Sequence, residues 1–308
     1  MPLLNRVSVL AAKIETTIGD PIAVTASDAT FTIFDAQLQP NIDFQERSGQ
    51  GGMSPLPGVP GARGATITFA TELKGDGAAG VPAWASTFLP ACGYVASGNT
   101  FSPASEAAGT NVKTLTIARY VNGLRESISG AMGTFKIMLP AGRVAMIEFT
   151  FTGLWITPTD ATILAPTYNT IAPLRFASST ITLGGSAITP VESIEIDAGN
   201  TVILREDGAT LSGYHSALVT TRRVTGSMTP ETPLVAAKDW WGVWTGRTEA
   251  AFSVIVGSAN NQVSLAAPKL QVTNLQEAER NQMHAIPIEF QCNRSSAIGN
   301  DELSILFS

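Results

Sequence analysis

Met146-Ile147-Glu148-Phe149-Thr150 alternates apolar and polar side chains, and its core returns late in the chain as Pro287-Ile288-Glu289-Phe290-Gln291. A period of two puts one row of side chains on a core and the other on solvent, the pattern of a half-buried strand. Working outward, further short β-branched or aromatic runs precede each copy. Residues 65–69, 114–117 and 135–139 lead to the first; 193–197, 202–204, 223–228, 252–256 and 269–273 lead to the second. Val121-Asn122-Gly123-Leu124 carries the Asn-Gly pair that suits a type I′ hairpin turn. Each half also offers one short, Pro-started helix bearing tryptophan. The first spans residues 81–89, with Trp84, Phe88 and Leu89 at helical spacing and Pro90 as its stop. The second spans 232–241, with Thr232 as N-cap, Pro233 in the first turn and Gly242 beyond the end.

This shared order predicts a mainly β protein of two similar tandem modules, each a β-sandwich or half-barrel with one short helix. The modules are expected at 1–156 and 180–308, joined by a Pro-, Thr- and Ala-rich connection over 157–179. The length of 308 residues fits two domains of roughly 150 each.

Charged residues make up 14% of the chain against ~25% in an average soluble protein, and hydrophobic residues 44%. That is too aliphatic for intrinsic disorder. No apolar stretch reaches the ~20 residues that span a bilayer as a helix, so no membrane insertion is expected. With 19 Lys and Arg and a formal net charge of −6, the chain lacks the basic face of a nucleic-acid binder. Arg222-Arg223 reads as a solvated strand end. Cys92 and Cys292 are too sparse for a disulfide framework and read as small buried apolar groups. The apolar run at 7–12 is short for a secretory signal and is followed by Lys13 and Glu15, so it reads as ordered structure or an assembly arm made in a cytoplasm.

A search for chemistry yields no catalytic residue, metal site or cofactor. His215 and His284 have no metal-ligating residues at the required spacing, and His215 reads as an exposed loop residue. No Gly-x-Ser-x-Gly elbow and no Gly-Lys-Ser/Thr loop occurs. Gly49-Gln50-Gly51-Gly52 lacks a strand-to-helix context and reads as a loop tip. The carboxylate pairs Glu206-Asp207, Glu277 with Glu279, and Asp301-Glu302 read as solvated surface. The chain is therefore not expected to be an enzyme.

Two long loops remain to be explained. Residues 44–63 carry Arg47, Met53, Pro55, Leu56, Val59 and Arg63, and glycine at 58, 61 and 64 suggests an extended, stiff arm. Residues 205–221 carry Leu211, Tyr214, Leu218 and Val219. Loops of about twenty residues inside a compact domain are usually disordered or committed to a partner. Trp84, Phe88, Trp240, Trp241 and Trp244 read as core or subunit packing. A surface so poor in charge suggests coverage by copies of itself.

The residues resemble the major tail tube proteins of long-tailed, siphovirus-type bacteriophages. The opening run Val9-Leu10-Ala11-Ala12-Lys13-Ile14-Glu15-Thr16-Thr17-Ile18-Gly19-Asp20-Pro21 is similar to theirs. Residues 63–69 through Glu72-Leu73-Lys74-Gly75 resemble the strand after their stacking loop. Pro82-Ala83-Trp84 with Leu89-Pro90-Ala91-Cys92-Gly93-Tyr94 resembles the following helix, and Phe149-Thr150-Phe151-Thr152-Gly153-Leu154-Trp155 the strand closing the first tube domain. The resemblance implies rings whose sheets join edge to edge around a channel, stacked through the long loops. It implies Arg47, Met53, Pro55, Leu56, Val59, Arg63, Leu211, Tyr214 and Leu218 as ring-stacking contacts. A duplicated subunit implies a trimeric, pseudo-six-fold ring, a hexamer being the alternative, with an acidic lumen for DNA. Implied partners are a tape-measure protein and transiently DNA in the lumen, with tail terminator and distal tail proteins at the ends. The implied location is the virion tail, assembled in the bacterial host cytoplasm. A head–tail connector, a baseplate-hub protein or a carbohydrate-binding adhesin are the competing readings.

Overall fold

The computed structural model describes the whole chain except residues 1–3, 5, 106–112, 189 and 281. Each alternating run read from the sequence overlaps a strand, residues 114, 223, 224 and 287 falling just outside, and the main sheet is antiparallel along its whole path. From one edge, the order is Ile33–Arg47, Leu56–Glu72, Met146–Asp160 and Leu124–Pro140. It continues with Val191–Asp197, Thr225–Pro230, Ile288–Asn293 and Asn261–Leu275, and then Glu249–Ser258, Thr180–Leu183 and Ser186–Ala187. Both long strands begin as hairpins. Leu115–Val121 turns through Asn122 and Gly123, at φ 44° and 104°, into Leu124–Pro140, and Glu249–Ser258 turns into Asn261–Leu275. The N-terminal strand Ser8–Ile14 pairs with Leu115–Val121, so the run at 7–12 is sheet from Ser8 onward.

The alternation pays out as one buried face. Ile67, Phe69, Phe135, Ile137, Ile147, Phe149 and Phe151 point inward in the first half, and Ile194, Ile196, Met228, Val272, Ile288 and Phe290 in the second. The helix Ala83–Ala91 closes that face: Phe88 packs on Phe31, Phe69, Phe149 and Phe151, and Trp84 on Phe149 and Phe307. Trp84 also donates its indole N–H to the Lys74 carbonyl at 3.0 Å, which makes a large buried aromatic compatible with its polar atom. Pro90 lies inside the last turn rather than after it, where it gives up the bond that an N–H would make to the Ser86 carbonyl.

The second helix departs from the expectation over 232–241. It is Trp240–Thr245, capped by Asp239, whose carboxylate accepts from the Gly242 N–H at 2.8 Å. Thr232 is instead engaged with His284 Nδ1 at 2.7 Å, and Leu234 and Val235 are exposed. The cap, rather than the proline, decides where this helix starts. Asp239→Ala should destabilise it by about 1 kcal/mol, checked as faster hydrogen exchange of the Gly242 amide.

A buried carboxylate organises the N-terminal segment. Glu15, 8% exposed, accepts from the hydroxyls of Thr114 (2.6 Å) and Thr116 (2.8 Å) and from the amides of Gly130 (2.7 Å) and Gly19 (3.0 Å). One side chain thus ties the first strand, its following turn, and two strands of the hairpin.

The end of the connection between the halves is packed. Residues 157–160 continue the strand Met146–Asp160, and beyond it Leu174 and Phe176 are buried. Backbone bonds from Ala145 N–H to the Leu174 carbonyl and from Phe176 N–H to the Arg143 carbonyl hold this segment on the first half.

Candidate assembly surfaces

The two expected loops are two-stranded ribbons. The first is the outer part of Ile33–Arg47 paired with that of Leu56–Glu72, leaving only residues 48–55 outside strands. The second is Asn200–Glu206 paired with Tyr214–Arg222. Reading the glycine- and proline-rich run 55–64 as unpaired misjudged its role. A proline is tolerated where its missing N–H is not needed by a ladder, and each glycine makes room for a neighbour. A Cβ on Gly58 would strike the Phe44 ring, one on Gly61 the Asp43 carboxylate and one on Gly64 the Leu204 side chain.

The ribbons sit differently. The first stands clear of the body, with Arg47, Met53, Pro55, Leu56 and Val59 all exposed, and Met53 and Leu56 at 107% and 45%. The second lies back across the first half. Its Ser212 carbonyl accepts from the Arg63 N–H at 2.8 Å, its Leu204 rests on Gly64, its Ser216 on Gly130, and the His215 carbonyl on Gly19. Arg63, Leu211 and Tyr214 therefore come together, lining a groove of about 470 Å³ with Asp20 and Trp155. Leu211 is exposed, while Tyr214, His215 and Leu218 are half-buried against their own chain. Trp84, Phe88 and Trp240 are core residues and Trp241 packs beside them. Trp244 is 37% exposed and donates its indole N–H to the Thr273 carbonyl at 3.0 Å.

The root of the second ribbon overturns two sequence readings. Arg222 and Glu302, read as solvated, form an ion pair with side chains 11% and 13% exposed. Arg222 also donates to Asn300 Oδ1 at 3.0 Å and lies over the Tyr94 ring at 5.8 Å. Its neighbour Arg223 instead reaches Gln291 at the surface. The partner of Arg222 stands eighty positions away, beyond the reach of local pattern. The two cysteines are free and buried; burial pushes the Cys92 thiol well up, and burial with the nearby Glu302 charge pushes Cys292 up to about 12.

The sheet joins its halves through a seam. The end of Leu124–Pro140 pairs with Val191–Asp197 in the register Ile137↔Ile196 and Leu139↔Ile194, and Lys136 crosses to Glu195 at 2.6 Å. Among the described residues, Ile33–Arg47 has one sheet neighbour only, and residues 272–275 pair only with Ile288–Asn293. Such unpaired edges invite another strand. A family model for phage tail tube proteins matches residues 5–292. The chain belongs to the phage tail tube protein family. It is a structural protein of the phage tail, and membership accounts for a sheet with edges left open and apolar ribbons left standing. No curated protein matches the chain. Among the described residues, no three His, Cys, Asp or Glu side chains gather as a metal-holding group, and no helix is long and apolar enough to cross a membrane.

Proposed function

We propose that this tail tube protein assembles into stacked rings of three copies, each copy supplying two tube modules whose joined sheets surround a DNA channel. The observation that carries this reading is the strand order. In each half the sheet runs first, second, fourth, third in chain order, and the halves meet at the antiparallel seam. The hairpins match too, since Leu115–Val121 also pairs with Ser8–Ile14 as Glu249–Ser258 also pairs with Thr180–Leu183. A duplicated module joined once within the chain supports the same junction between chains, from the Ile33–Arg47 edge to the 272–275 edge of the next copy. Such a head-to-tail contact closes into a ring when the rotation permits.

The polar face of the joined sheet is the channel wall in this reading. Glu148 and Glu289, the central residues of the two Ile-Glu-Phe runs, are exposed on it, and Glu195 stands between them. Three copies would place six carboxylates at the Glu148 and Glu289 positions in one belt. DNA carries one negative charge per ~1.7 Å, so an acidic wall lets it slide without sticking. End-on electron-microscopy averages of purified tubes should give three-fold density with six similar lobes. Six separate copies per ring, or a protein that stays monomeric at every concentration, would overturn the reading.

A further inference from the structure

The two ribbons are twins in register, yet only one of them is covered. Counting outward from the root pairs Gln37↔Thr68 and Asp197↔Thr225, the pairs Phe44↔Pro60 and Leu204↔Ala217 occupy the same rung. Further out, Arg47 faces Leu56 where the Asp207 N–H binds the Gly213 carbonyl. In the second ribbon, Ser216 and Ala217 are 1% and 0% exposed. In the first, Phe44 and Val59, which hold the places of Leu204 and Ser216, are 62% and 46% exposed. An uncovered two-stranded hairpin is marginal in water, and a row of exposed apolar side chains marks a contact surface.

The receiving surface shows the same asymmetry. Under the second ribbon, Leu124–Pro140 is buried on both faces from Ser127 to Gly133. The strand Asn261–Leu275 holds the matching place in the second half. There burial alternates from Val263 to Ala267, with Ser264 and Ala266 half-buried and Pro268 exposed.

We propose that the ribbon 41–62 seats on a second copy of this chain, across the face of Asn261–Leu275 presented by Ser264, Ala266 and Pro268. It takes between copies the position that the ribbon 200–222 takes within one. This rests on the self-assembly reading above and goes beyond it, because the ribbon's partner becomes the second half of a lateral neighbour. The cis interface sets the chemistry of the seat: small residues receiving an apolar ribbon, with backbone carbonyls and amides at its tip.

The test uses the full chain. Val59→Cys with Pro268→Cys, oxidised after assembly, should give a ladder of covalent multimers that neither single variant gives; Cys92 and Cys292 are buried and leave the background low. Val59→Asp should raise the concentration needed for assembly by about tenfold or more, with an unchanged circular dichroism spectrum. Tubes that form normally from the double-cysteine variant but never cross-link, or assembly of Val59→Asp at the wild-type concentration, would overturn the seat and leave the tube reading standing. A wild-type protein that makes neither rings nor tubes would overturn both.

Discussion

Replacing Glu15 by alanine should lower the free energy of unfolding by about 3–5 kcal/mol. The reason is accounting of donors. Two threonine hydroxyls and two backbone amides converge on one carboxylate inside the first half. Alanine removes every acceptor at once, and each buried donor left unpaired costs about 1–3 kcal/mol unless water enters to replace it. Glu15→Gln keeps one acceptor oxygen and should lose less, though its amide N–H₂ would then face donors. Urea unfolding followed by tryptophan fluorescence reads both variants. A loss under about 1 kcal/mol for alanine would mean the donors find other partners, and the clamp would not be what holds the N-terminal turn.

Arg222→Ala comes next. It strands Glu302 in a site where both side chains are largely shielded, and breaking one partner of such a pair costs about 3–5 kcal/mol. It also strips the Tyr94 ring of its cation and Asn300 of a donor. Because Arg222 sits at the foot of the second ribbon, proteolytic cleavage within 200–222 should accelerate more than cleavage elsewhere. The double variant Arg222→Met with Glu302→Gln separates the pair from packing: it should recover much of the stability, since no charge is then left buried alone. Equal sensitivity of the single and double variants would assign the effect to lost packing instead.

Much of the sheet was legible because it depends on local alternation. Asn122-Gly123 announced its own turn, and the two Ile-Glu-Phe runs pointed to strands that occupy like places in the order. The misreadings share another cause. Glycine at 58, 61 and 64 read as an extended, stiff arm, yet the first two lie beneath Phe44 and Asp43 of the facing strand and the third beneath Leu204, 140 positions away. Glu15 reads in the sequence as one more charge in the opening run, and its four donors come from positions up to 115 residues distant. Arg222 and Glu302 looked solvated because their burial is created by a contact across half the chain. The second helix slipped because Thr232 and Asp239 are both good caps, and tertiary contact with His284 claimed the first. In the ribbons, the apolar residues were visible from the start. Which of them would be covered at home was not, because twin strands with similar spacing meet different neighbours.

The seam between the halves has a consequence for mass action. Its two strands are covalently tethered, so their meeting is unimolecular and does not weaken on dilution, whereas contact between separate chains carries a translational and rotational cost of roughly 4–15 kcal/mol. The Lys136–Glu195 bridge across it is solvent-exposed and worth about 0–1 kcal/mol, so salt that screens the bridge leaves the ladder beneath it intact. In the three-copy ring proposed above, every second junction would then be permanent, and dilution or salt would act only on the others. Disassembly would release whole double modules, never single ones.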